Sequence, residues 1–184
     1  MDAAVAARVL RHARQIGPRC GSSIVIAIDG RSGSGKSTLA SQVSALAEAE
    51  GLTTTTLNLD TICPGWNGLS EVPARIRGLL EQLAERGRAT YPTWDWHAGR
   101  AGPDRSISAP AVLVLEGVAA ADPHSADLIS ATVWMDAPTA LRKQRALARD
   151  GDDFAPFWDQ WARAEDEYLR ARPPLKPDFA IEAD

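Results

Sequence analysis

Eight consecutive residues, Gly30-Arg31-Ser32-Gly33-Ser34-Gly35-Lys36-Ser37, have the types and spacing of a phosphate cradle, G-x-x-x-x-G-K-[ST]. The residue types dictate the chemistry. Glycines let the backbone turn tightly and come close to an anion, and successive N–H groups at a helix start present partial positive charge to it. The segment from Gly30 to Thr38 is therefore the candidate for holding the phosphates of a nucleoside triphosphate. Lys36 would reach the β- and γ-phosphates, and the Ser37 hydroxyl would hold Mg²⁺.

Such a loop works only between a strand and a helix, so those elements must flank it. Ser23 to Asp29 alternates and then runs continuously in Ile, Val and Ala, which predicts a buried strand ended by glycine. A helix is predicted from Lys36 to Glu50, stopped by Gly51. Further strands are predicted at Thr53 to Leu59, Ala111 to Leu115, Ala131 to Met135 and Asp178 to Ile181. Helices are predicted after Ser70 as its cap (Val72, Ile76, Leu79, Leu80 and Leu83 on one face), over Thr139 to Arg149, and over Phe157 to Leu169. This alternation is the pattern of a three-layer α/β fold, a mainly parallel sheet with helices on both faces. Strand ends then deliver Asp29, Asp60, Glu116 and Asp136 to the carboxyl edge, where open α/β sheets bind ligands. Asp29 reads as a cap on the cradle and Asp136 as a strand end before Pro138.

The 184 residues, 45% apolar, suit one compact domain spanning 1–184. Its first 20 residues form an N-terminal helix with Val5, Val9, Leu10, Ala13 and Ile16 as a packed stripe. The arginines there (Arg8, Arg11, Arg14, Arg19) leave a targeting segment as the alternative. A net charge of −4 with interspersed signs argues against nucleic acid as partner, and the absence of a long apolar run argues against a membrane span. Cys20 and Cys63 lie far apart and outside any CxxC spacing, which fits a reducing compartment, the cytoplasm. Oligomeric state is not legible.

With the cradle, the strand-end Asp60 and the apolar run into Glu116-Gly117, the chain resembles the uridine kinase-like branch of P-loop kinases from about Ile24 to Asp150. The resemblance implies the P-loop NTPase fold and transfer of the γ-phosphate of ATP, with Mg²⁺, to a hydroxyl of a small acceptor. It implies that Asp60 takes the acceptor's proton or helps hold the metal, with Ser37 and Glu116 as further metal ligands. Arg142, Arg145, Arg149 and Asp150 match the spacing of a helical lid, within about 139–171, that folds arginines over the transferring phosphate. That role has a physical basis, since charge spreads over the phosphoryl oxygens in the transition state.

The acceptor segment of such kinases is echoed by Trp94-Asp95-Trp96-His97-Ala98-Gly99-Arg100, one residue shorter between the acid and the arginine. Trp66, Asp95, Trp96, His97 and Arg100 are candidates for a pocket with aromatic walls, suited to a flat ring such as a nucleobase. The alternative is that these tryptophans cover the core edge. Trp158 and Trp161 read as core, and Glu165, Asp166 and Glu167 as a solvated face. Two other functions remain open: an ATP-binding or ATP-hydrolysing regulatory protein without an acceptor, and a kinase acting on a nucleoside monophosphate or a non-nucleoside alcohol.

Overall fold

A computed structural model describes residues 3–172 and 176–183. The outer limits read from sequence, at 1 and 184, and the first two positions of the N-terminal helix fall outside them. Five parallel strands form the central sheet in the order β2-β7-β1-β8-β9. They are β1 (Ile24–Gly30), β2 (Thr54–Asn58), β7 (Val112–Glu116), β8 (Ala131–Asp136) and β9 (Phe179–Glu182). β1 lies in the middle, with Ile28 opposite both Glu116 and Val133, so its C-terminal end opens where the chain has strands on either side.

Side chains alternate across the sheet, and each face buries its own set. On one side Ile26, Ile28, Val112, Val114, Val133 and Met135 pack against α1 (Ala3–Ile16) and α2 (Lys36–Ala49). Val9, Leu10 and Ala13 make the α1 contact, while Ile16 is left exposed at its end. On the other side Val25, Ala27, Leu57, Leu113 and Leu115 meet α3 (Val72–Arg86), α4 (Thr139–Phe154) and α5 (Trp158–Ala171). Both faces being covered explains why β1 and β7 read as near-continuous apolar runs. No helix among the described residues is long and apolar enough to cross a membrane.

Some local predictions are corrected. Ser70 does not cap α3: it sits inside the single turn Leu69–Glu71, and the helix starts at Val72 with no side-chain cap and Pro73 in its first turn. The helix expected to stop at Arg149 runs on to Phe154 across a kink at Gly151, whose φ of 57° and ψ of −138° are non-helical. Residues 88–108, for which no strand or helix is predicted, fold into two small antiparallel ribbons. β3 (Arg88–Tyr91) pairs with β6 (Arg105–Ser108), and β4 (Trp94–Asp95) with β5 (Arg100–Ala101). Strands of two to four residues carry too few alternations to be legible.

Candidate functional site

The cradle sits between β1 and α2, and its glycines answer to close contacts. A Cβ on Gly30 would come 2.1 Å from the Met135 carbonyl oxygen, and one on Gly33 would come 2.1 Å from that of Arg142. Gly35, in the left-handed region at φ 95°, forms the N-cap of α2 without a side-chain partner, leaving the helix N-terminus open to an anion. Lys36, almost fully buried, donates from Nζ to the Arg31 carbonyl at 2.9 Å, lying along the loop.

The strand ends bring two acids to this loop. Ser37 Oγ donates to Glu116, with its oxygens at 3.2 and 3.3 Å. Asp60 follows β2 in the short turn Leu59–Thr61, whose entry is fixed by the Asn58 side chain accepting the Asp60 N–H at 2.7 Å. A cleft of about 260 Å³ joins these groups. The cradle contributes Ser32, Gly33, Gly35, Lys36, Ser37 and Thr38 to its lining, the strand ends Asp60 and Glu116, and α4 Arg145 and Arg149.

Burial pushes the Asp60 carboxyl above its ordinary range, against the pull of the Lys36 and Arg149 charges. Glu116 is raised for the same first reason, and the neighbouring Asp60 charge adds to it while Lys36 and the Ser37 hydrogen bond oppose it. Two carboxyls short of compensating charge, beside a hydroxyl, form an all-oxygen donor set that suits a hard divalent cation retaining some of its waters. Among the described residues there is no cluster of three or more His, Cys, Asp or Glu that could hold a metal, so this pair with Ser37 is a sparse set.

The three arginines of α4 separate. Arg145 and Arg149 line the cleft, and Arg149 is held by Asp150 at 2.8 and 2.6 Å. Arg142 does not line it. It is 5% exposed and spent on the carbonyls of Ala137 (3.0 Å) and Ser32 (3.3 Å) and on Thr139 Oγ1 (3.2 Å). Sequence spacing cannot separate these roles, because all three share one helix face.

The acceptor candidates divide in the same way. Trp96 donates its indole N–H to the Asp60 carbonyl at 2.8 Å, joining the β4–β5 ribbon to the acid's turn. Trp66 stacks on Phe157 (4.5 Å between centroids, 13°) and Phe154 (5.4 Å, 6°), and meets Trp96 edge-on at 4.7 Å. Asp95 accepts the Ala98 N–H at 2.9 Å, closing the ribbon's turn, and His97 and Arg100 are exposed. None of these five residues is among those lining the cleft.

Glu165 was read as part of a solvated face; it is wholly buried, and its Oε1 accepts the Ser32 backbone N–H at 2.8 Å. Its position in the α5 pattern held the signal, since Trp158, Trp161, Glu165 and Tyr168 follow the 3-4-3 spacing of one helix face. Asp29 also does more than cap. Its Oδ1 accepts from Gly30 (2.7 Å) and Ala119 (3.0 Å) and its Oδ2 from Ala121 (3.0 Å), tying the base of the cradle to the loop after Glu116. Ala119 holds a φ of +73°, which this carboxylate helps to maintain.

Full burial pushes Asp29 up to about 6 from 3.8. Its folded value being the higher, the folded protein keeps a proton that the unfolded chain has released. The Asp29 contribution to stability should therefore fall as pH rises from 3.8 to about 6 and stay level above that. Melting curves across this window should be shallower in Asp29→Asn than in the wild type, the remaining slope coming from Asp60 and Glu116. Asp29→Ala, which orphans three N–H groups, should cost about 3 kcal/mol by urea titration.

No family model matches the chain, and no curated protein sequence matches it. Solved structures do. A possible uridine kinase from Bacillus stearothermophilus is 21% identical, with 88% of this chain and 89% of that one covered and a TM-score of 0.62. A candidate fructose transport system kinase from Silicibacter sp. TM1040 is 20% identical, with coverage of 96% and 98% and a TM-score of 0.66. The APS kinase of Mycobacterium tuberculosis, solved with AMPPNP and APS, is 19% identical, with coverage of 87% and 88% and a TM-score of 0.50. At these identities the likeness is one of fold. With its parallel five-stranded sheet, its cradle after β1 and its covered faces, this chain shares the three-layer α/β fold of these kinase structures.

Proposed function

We propose that the chain is an ATP-dependent phosphotransferase that moves the γ-phosphate to a hydroxyl of a small molecule. One observation carries this reading: Lys36, Ser37, Asp60, Glu116, Arg145 and Arg149 line a single cleft. Amides of the loop and of the start of α2 hold the phosphates, and Lys36 swings from the Arg31 carbonyl to the β- and γ-phosphates. Ser37, Asp60 and Glu116 would hold Mg²⁺, directly or through water, which when bound supplies charge neutralisation at the phosphate oxygens. Asp60 orients the acceptor hydroxyl and accepts its proton, a role that its raised pKa favours by bringing the carboxyl nearer neutral pH. Arg145 and Arg149 balance the charge that develops on the transferred group. Arg142, in this account, positions the loop rather than touching the phosphate.

The stacking of Trp66 on Phe154 and Phe157 engages the ring that could otherwise have stacked on a nucleobase. This favours a small non-nucleoside alcohol over a nucleoside or nucleoside monophosphate. A second reading, ATP hydrolysis without an acceptor, is favoured by the exposure of Asp95, His97 and Arg100 outside the cleft.

ADP release from Mg·ATP, measured alone and then with nucleosides, nucleoside monophosphates and small polyols or hydroxy acids, separates the readings. Stimulation of at least about tenfold by an acceptor, with a phosphorylated product, is the expected result. Turnover indifferent to every acceptor would transfer the assignment to the hydrolase, and absence of nucleotide binding would end both.

A further inference from the structure

Helix α5 buries a carboxylate that the transfer chemistry does not use. Glu165 is 0% exposed. Its Oε1 accepts the backbone N–H of Ser32 at 2.8 Å and the indole N–H of Trp161 at 2.9 Å. The same indole N–H lies 2.8 Å from Ser32 Oγ, so it is shared between the two acceptors. Oε2 has no hydrogen-bond partner among the described residues but lies 4.0 Å from guanidinium nitrogens of both Arg31 and Arg142. Arg142 closes the ring by donating to the Ser32 carbonyl at 3.3 Å, and Arg31 is paired with Asp166 at 2.6 Å.

Ser32 is thus gripped at its N–H, its carbonyl and its hydroxyl, by two helices that follow it by more than a hundred residues. A negative charge beside a loop meant for a triphosphate would repel it, and burying a lone carboxylate is costly. The flanking Arg31 and Arg142 neutralise the charge, and the two N–H donors satisfy the oxygen that faces the loop. The amide of Ser32 is committed to Glu165 and that of Ser34 to the Arg31 carbonyl at 3.2 Å, which leaves the phosphate to other amides of the loop and the helix start.

We infer that Glu165, assisted by Trp161, is a positioning residue that fixes the apex of the phosphate-binding loop through Ser32, so that the loop is ordered before nucleotide arrives and nucleotide affinity depends on the seating of α5. Nucleotide affinity rests on the function proposed above; the ordering of the loop does not. Preorganisation of this kind lowers the ordering cost that a mobile loop would incur on binding.

Hydrogen exchange of the wild type, Glu165→Ala, Glu165→Gln and Trp161→Phe, without ligand, tests the ordering. In Glu165→Ala the peptide covering residues 31–38 should exchange about tenfold faster, with β1, β7 and β8 unchanged. Glu165→Gln keeps an oxygen for the Ser32 N–H and should stay within about twofold of wild type. In parallel, the Kd for Mg·AMPPNP should rise about tenfold in Glu165→Ala and return most of the way in Glu165→Gln. Wild-type exchange at residues 31–38 in Glu165→Ala, or an equal acceleration throughout the sheet, overturns the inference. If Glu165→Ala does not fold, Trp161→Phe decides: about threefold faster exchange confined to that peptide supports the inference, and no change overturns it. Failure of the wild type to bind AMPPNP would defeat the kinase reading while the exchange data still judge the positioning.

Discussion

Lys36→Ala is expected to lower phosphoryl transfer by about 10³-fold, because in the proposed reaction its ammonium group supplies positive charge to the transferring phosphate. The fold should survive, since the side chain makes one hydrogen bond, to the Arg31 carbonyl. A smaller effect on stability should nevertheless be measurable, and its pH dependence has a definite sign. The Lys36 charge lowers the pKa of Asp29, Asp60 and Glu116, all three of which burial raises. Without the lysine their ionised forms cost more in the folded state. The melting temperature should then fall at neutral pH and approach that of wild type as acid protonates the carboxyls. Single-turnover transfer together with melting at two pH values checks both halves, and unchanged transfer would remove the proposed role of the cradle.

Glu116→Gln should show function and stability moving in opposite directions. If Glu116 ligates the metal as proposed, its loss as an anion should reduce transfer by at least about 100-fold. The apo protein, however, should melt higher. Desolvation, with the adjacent Asp60 charge, penalises ionised Glu116 in the folded state, and glutamine removes that penalty while still able to accept from Ser37. Each kcal/mol relieved is worth about 2–4 °C in a chain of this size. Added Mg²⁺ should raise the melting temperature of the wild type by mass action and leave that of the variant unmoved. The pH below which wild-type Mg²⁺ binding weakens should also lie above the usual carboxylate range, because in the metal-free protein Asp60 and Glu116, which would have to ionise to ligate, are both raised from 3.8 and 4.5. A variant that melts lower and keeps its response to Mg²⁺ would contradict the metal assignment.

The parts of the site legible in sequence were those encoded within a few consecutive residues. The cradle is one, because glycine and lysine spacing over residues 30–37 is itself the geometry of the loop. The strands bearing Asp60 and Glu116 are another. The apolar run before Glu116 and the β-branched threonines before Asp60 each give a strand signal, and a parallel sheet places its strand ends together. Arg142 shows the limit. It shares spacing and charge with Arg145 and Arg149, yet the first turn of α4 lies against Gly33, so its side chain meets the back of the loop while the others face the cleft. The ribbons at 88–108 were illegible for want of length, and the stacking of Trp66 on Phe154 and Phe157 joins segments almost ninety residues apart.

By itself, then, the sequence determined the sheet-and-helix alternation, the phosphate cradle and the two acids at neighbouring strand ends. Each of these follows from local backbone preference and short-range apolar periodicity. Only the tertiary structure decided that Glu165 lies buried against Ser32 instead of in solvent, that Arg142 braces the loop, and that Asp29 binds the loop after Glu116. Those outcomes depend on which polar groups become buried together, and a buried carboxylate or guanidinium takes whatever donors or acceptors the packed helices bring to it. The 3-4-3 spacing of α5 marks Glu165 as inward-facing, but no short-range pattern names the partner that it or the other two residues meet.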